Sequence, residues 1–157
     1  MIKNNRKIYK LAKIGYFTLA GILAVGPLFT GITLFAVGSV KRSNIEKGYN
    51  DNDKFIEACL NDNYLRRLYN ERMEPAKLQY ENGEISQKDL RDIENQYIEE
   101  VKTTYSVYDY AALSGEQEEY EHAETLINAG GFTIFGAAVS SALGTWMLIR
   151  KDEVFLE

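Results

Sequence analysis

The chain has 157 residues, 26% of them charged, and a formal net charge of -5; its mean hydropathy of -0.31 is that of a soluble acidic domain, but the charges are unevenly distributed along it. A single cysteine, Cys59, excludes an intrachain disulfide, and a single histidine, His122, excludes any site built from two or more imidazoles. Neither a Gly-rich phosphate loop nor a Gly-x-Ser-x-Gly elbow occurs, so the common catalytic templates are missing and neither enzymatic activity nor a cofactor is expected.

Residues 1–13 form a basic tail carrying Lys3, Arg6, Lys7, Lys10 and Lys13 and no acidic residue. Residues 14–40 follow, 27 positions without a charge. A bilayer core of about 30 Å takes about 20 apolar residues in a helix, so this run is long enough to cross. A cleaved signal peptide is the rival reading, but its apolar region spans only about 7–15 residues, and an uncleaved anchor fits better. Gly26-Pro27 predicts a kink near mid-membrane, and Ala20 and Ala24 offer small side chains for helix packing.

Residues 41–124 carry eleven basic and twenty acidic side chains, a net -9. Such a segment repels phosphates, so nucleic acid is not an expected partner. A first helical arm is predicted to start at Asp51 or Asp53, with Phe55, Ile56, Cys59, Leu60, Leu65, Leu68, Tyr69, Met73 and Ala76 as its apolar set. Pro75 should kink or divide it. Gly83 suits the left-handed position after a helix, and Ser86 with Asp89 forms a capping-box variant. From there Leu90, Ile93, Tyr97, Val101, Tyr105, Tyr108 and Ala112 recur at spacings of three and four, the stripe of one amphipathic helix. Ser114-Gly115 predicts a second break, after which Glu116–Glu124 should continue as helix into the next apolar run.

Residues 125–149 are a second run of 25 uncharged positions, and residues 150–157 form a short tail. Gly136, Ser140 and Gly144 make a ridge of small side chains, a face that permits close helix contact in a membrane. Neither run contains an Asp, Glu, His, Lys or Arg, which speaks against a proton relay or voltage sensor.

Three further features are candidate sites. Glu118 and Glu119 precede His122 by four and three positions, but the Glu-x-x-His unit occurs once, so His122 is read as a solvated histidine and no metal is expected. Cys59 reads as a small buried hydrophobe, with an intermolecular disulfide as the alternative. Nine of the eleven tyrosines lie in residues 41–124. The stripe positions Tyr97, Tyr105 and Tyr108 are expected to fill the core, whereas Tyr110 falls off the stripe and is the candidate for contact with a partner.

Together these features predict an all-α membrane hairpin of two transmembrane helices with a helical-hairpin domain between them. Seven basic residues flank the runs on the terminal side and four on the loop side, which places both termini in the cytoplasm and residues 41–124 outside a cell membrane. The expected role is non-enzymatic: an accessory or assembly subunit, or a scaffold, set in the lipid bilayer and bound to another membrane protein or to itself. A homo-oligomeric, holin-like pore is the alternative, with a thin polar lining of Thr18, Thr30 and Thr33 in the first run and Asn128, Thr133, Ser140, Ser141 and Thr145 in the second.

Overall fold

The computed structural model describes the backbone of residues 2–154 and the side chains of residues 15, 18, 19, 21, 22 and 25–146. Six helices follow one another: α1 Ile2–Asn50, α2 Asn52–Asn61, α3 Asn63–Glu81, α4 Gln87–Lys102, α5 Val107–Ser114 and α6 Gln117–Val154. Among the described residues there is no strand, so the protein is all-α. Two compact units are present, the described parts of Met1–Gly38 with Thr125–Glu157, and Ser39–Glu124.

Within the Ser39–Glu124 unit, local chemistry sets each boundary. Asp51 is the N-cap of α2 and accepts from the backbone N–H groups of Asp53 and Lys54. Asp62 stands in extended conformation between α2 and α3, and its carboxylate accepts from Tyr64 and Leu65 at 2.9 Å each. Arg66 Nε donates to the Leu60 carbonyl at 2.6 Å, occupying an acceptor at the end of α2. The arm is therefore divided at Asp62 and not at Pro75. Asp62 stops α2 and starts α3, while Pro75 lies inside α3, which continues through it to Glu81. Gly83 at φ +74° turns the chain after α3, and Ser86 with Asp89 closes the capping box of α4.

The single stripe expected over Leu90–Ala112 is two helices. α4 ends at Lys102, and a second capping box, Ser106 with Asp109, starts α5. The interruption resets the helical phase, and with it the faces: Tyr97 and Val101 are buried as expected, whereas Tyr108 and Ala112 are exposed and Tyr110 and Ala111 are buried. Gly115, at φ +81°, then ends α5 in the left-handed conformation that glycine adopts without steric cost.

α2 packs on α3, α4 and α5, and α3 packs on α4. The core is formed by Ile45, Phe55, Cys59, Leu65, Met73, Ile98 and their neighbours, with Phe55 fully enclosed. No buried side-chain nitrogen or oxygen among the described residues lacks a hydrogen-bond partner, as a stable core requires.

In the other unit, the described residues of α1 and α6 meet at glycine. A Cβ placed on Gly130 would lie 2.6 Å from the Gly31 carbonyl oxygen and 2.6 Å from the Phe35 nitrogen, and one on Gly31 would lie 2.9 Å from the Gly130 oxygen. Gly31 also faces Ile134, so the two segments run antiparallel. Among the described residues, one helix, Gln117–Trp146, is long and apolar enough to cross a membrane, with a mean hydropathy of 1.5 in its most apolar window.

Candidate functional site

Three places concentrate the chemistry of the described residues. The first is an aromatic cluster where α2, α5 and residues 48–49 of α1 converge. Phe55 stacks on Tyr110 with centroids 6.0 Å apart, and Tyr49 meets both rings edge-on at 5.4 and 6.1 Å. The Lys102 ammonium lies over the Tyr49 and Phe55 rings at 5.4 and 5.1 Å and donates to Asn52 Oδ1 at 2.9 Å. The Tyr49 hydroxyl donates toward the Tyr105 and Lys102 carbonyls, at 2.9 and 3.2 Å, which ties α1 to the end of α4. Gly48 makes room for this arrangement, because a Cβ there would overlap the Tyr110 hydroxyl.

Tyr110, expected as a partner contact, is thus a core ring at 4% exposure. That expectation is corrected, and the physical reason is the phase reset at Ser106. The cluster holds no attacking group. Burial pushes Tyr49 and Tyr110 above the ordinary phenol range, with Glu99 and Glu116, respectively, the largest charges adding to the shift.

The second place is the remainder of the core. The Cys59 thiol is 1% exposed, and burial pushes it up to about 11, with Asp62 contributing in the same direction and Lys102 against. A thiol so protonated and enclosed is a poor nucleophile and a poor partner for an intermolecular disulfide. Tyr69 donates to Glu94 Oε1 at 2.5 Å, and burial and that hydrogen bond both raise its hydroxyl. Tyr97 donates to the Leu65 carbonyl at 3.2 Å and is pushed up to about 12, mainly by burial.

The third is the base of the loop unit. Arg42, just past the first uncharged run, pairs with Glu124, just before the second, at 2.6 Å, and with Glu46 at 2.8 Å. Lys41 pairs with Glu119 at 3.4 Å, and the Arg42 guanidinium lies 6.0 Å from the Tyr120 ring centre. These contacts draw together the two ends of the 41–124 segment. Each pair is partly exposed and contributes modestly by itself.

Of the residues expected to pack in the membrane, Gly136 and Gly144 have open space where a Cβ would stand among the described residues, and Ser140 is exposed. The close approach uses Gly31 and Gly130 instead, with Ala137 buried alongside. The side chains of Ala20 and Ala24 lie outside those described. Gly26 and Pro27 are both helical, inside α1. Thr30, Thr33, Thr133 and Thr145 each donate their hydroxyl to the carbonyl four residues earlier in their own helix, which satisfies them without a pore.

Glu118, Glu119 and His122 are all exposed, and among the described residues no group of three metal-ligating side chains converges. The Gly31–Gly130 crossing was not singled out from sequence, although the Gly130-Gly131 doublet was its available signal. Compared with known proteins, the chain matches no family, no curated protein and no solved structure.

Proposed function

We propose that this protein is a non-enzymatic, two-span membrane protein, with residues 14–40 and 125–149 crossing a cell membrane and the 41–124 unit engaging a protein partner as an accessory subunit or scaffold. The observation that carries the reading is the antiparallel glycine contact between the two uncharged runs, Gly31 on Gly130, made while large apolar side chains beside it stand uncovered. Phe132 is 78% exposed and Phe135, Val139, Leu143 and Trp146 are exposed with it, on the side of α6 away from Gly130. A stripe of that size on a water-facing helix would be an aggregation hazard, and lipid is the solvent it suits.

The Arg42–Glu124 pair supports the same reading, because it holds the loop-side ends of the two runs next to each other. Both termini lie in the cytoplasm in this proposal, on the distribution of basic residues. The pore alternative is the weaker reading, since the hydroxyls of Thr30, Thr33, Thr133 and Thr145 are turned to their own backbones.

Alkaline extraction of membranes followed by affinity purification of the full chain in mild detergent tests the proposal. The expected result is a chain that resists extraction and returns with a stoichiometric protein partner. Release into the alkaline supernatant would overturn the spans, and a lone monomer would overturn the partner role. For orientation, an exposed reporter such as Gln96→Cys should react with an impermeant maleimide in sealed cells; reaction only after lysis reverses the topology.

A further inference from the structure

Asn82 is followed by glycine, Gly83, and no other asparagine of the chain is. Both residues are exposed at the turn between α3 and α4, Asn82 as the C-cap of α3 and Gly83 in the left-handed conformation at φ +74°. The turn is a Schellman motif: the Gly83 N–H donates to the Tyr80 carbonyl at 3.0 Å and the Glu84 N–H to the Gln79 carbonyl at 2.8 Å. Asn82 Nδ2 donates to Glu84 Oε1 at 3.5 Å. Every other asparagine lies within a helix, where the backbone cannot rotate without breaking the helical hydrogen bonds. Gly115 ends α5 in a second turn of the same pattern, but Ser114 stands before it and carries no carboxamide.

We propose that Asn82 is a self-modification site, where the chain deamidates at a rate set by the Schellman turn. The Gly83 backbone nitrogen gives its proton to hydroxide and bonds to Asn82 Cγ. The Cγ–Nδ2 bond then breaks and the leaving nitrogen takes a proton from water, so that ammonia departs and a succinimide ring is closed. Water opens the ring: cleavage at the side-chain carbonyl leaves aspartate, and cleavage at the backbone carbonyl leaves isoaspartate. In sum one water is consumed and one ammonia released. Glycine permits the attack because no Cβ crowds its nitrogen, and the space around it is open, since a Cβ on Gly83 would meet nothing within 4 Å. The fold opposes the attack. Ring closure requires rotation about Asn82 ψ, which stands at -5°, and that rotation breaks both turn hydrogen bonds. Either product adds a negative charge at the C-terminal end of α3, where the helix dipole disfavours it, between Glu81 and Glu84. Isoaspartate also lengthens the backbone by one carbon, which takes Gly83 and Glu84 out of register with Tyr80 and Gln79. The modification thus loosens the turn that joins α3 to α4. This inference concerns the Ser39–Glu124 unit alone and is independent of the membrane reading.

Incubation of the full chain in mild detergent at mildly alkaline pH tests it, with peptide mass spectrometry following each asparagine and electron-transfer fragmentation separating aspartate from isoaspartate. Trypsin releases peptide 78–88, in which Asn82 is the one asparagine. Asn82 should convert first, to both products, while Asn61, Asn70 and Asn95 persist. The turn should slow the folded chain roughly five- to tenfold relative to the chain in denaturant, the factor set by the net worth of an exposed backbone hydrogen bond. Asn82→Gln, which can close only a larger ring, should leave the peptide unmodified. Asn82→Asp carries one product from the start and should show faster amide exchange at Gly83 and Glu84 than the wild-type chain. Conversion of Asn82 no faster than that of Asn61 or Asn95 in the folded chain, or equal rates with and without denaturant, overturns the proposal. Unaltered exchange in Asn82→Asp overturns the loosening of the turn.

Discussion

Substituting Gly48 by alanine sets two effects of opposite sign against each other. Gly48 lies inside α1, where replacing glycine by alanine ordinarily stabilises a helix by about 0.5–1 kcal/mol. Here the new Cβ would overlap the Tyr110 hydroxyl and stand 3.1 and 3.2 Å from ring atoms Cζ and Cε1. Tyr110 is stacked on Phe55 and edge-on to Tyr49, so it has no free direction in which to retreat. Overpacking of this kind costs about 1–3 kcal/mol, which exceeds the helix gain. The net is a loss of about 1–2 kcal/mol, or roughly 5–10 °C in Tm for a unit of this size. Thermal unfolding of the full chain in mild detergent, followed by near-ultraviolet circular dichroism, reads it directly. Tyr110→Phe removes the oxygen that is overlapped, so Gly48→Ala should cost about 1 kcal/mol less in that background. A Gly48→Ala chain that melts above wild type would refute the reasoning, since propensity alone would then be acting.

Four other outcomes are expected. With its thiol pushed up to about 11, Cys59 is about one part in a thousand thiolate at pH 8, so alkylation should be slow in the folded chain and rapid in denaturant; fast native labelling would contradict its burial. Cys59 and Tyr97 have folded values above their unfolded ones, about 11 against 9 and about 12 against 10. The stability they contribute is complete below the unfolded values and is lost as pH rises between about 9 and 12, with Cys59→Ala removing the lower part of that window in a pH series of melts. Ser106→Ala deletes the cap of α5 and should cost about 1 kcal/mol, seen as faster amide exchange over Val107–Ala111 with α3 unaffected. Gly130→Ala should weaken the α1–α6 contact, because the atoms in its way are backbone, whereas Gly136→Ala should be neutral, as read by resistance to denaturing detergent.

Much of the helical punctuation was legible because it depends on neighbours within a few residues. Asp51, Gly83, Gly115 and the Ser86–Asp89 box act where the sequence locates them. The apolar set of the first arm was equally readable: Phe55, Cys59, Leu65, Tyr69, Met73 and Ala76 are all buried. The failures share a cause. Tyr108 and Tyr110 exchange roles because the stripe was extended through Thr103–Ser106 as if the helix continued, and a break of four residues cannot preserve its phase. Ser106 and Asp109 carried the missed signal, at the same spacing as Ser86 and Asp89. Pro75 does not divide the arm, because burial of Met73 and Ala76 in the core offsets the hydrogen bond that a proline removes, whereas Asp62 satisfies two N–H groups of a new helix.

By itself, the sequence determined the all-α class and the uncharged run that makes Gln117–Trp146 long and apolar enough for a membrane, since both follow from periodicity and composition along the chain. It also determined that the charge is concentrated in residues 41–124. Tertiary structure alone decided which tyrosine is core, that Arg42 meets Glu124, and that Gly31 and Gly130, rather than the Gly136–Ser140–Gly144 ridge, form the close contact among the described residues. Local pattern specifies the face a helix can bury, but the choice among several small or apolar faces is made by the segment packed against it, which here comes from about a hundred residues away in the chain.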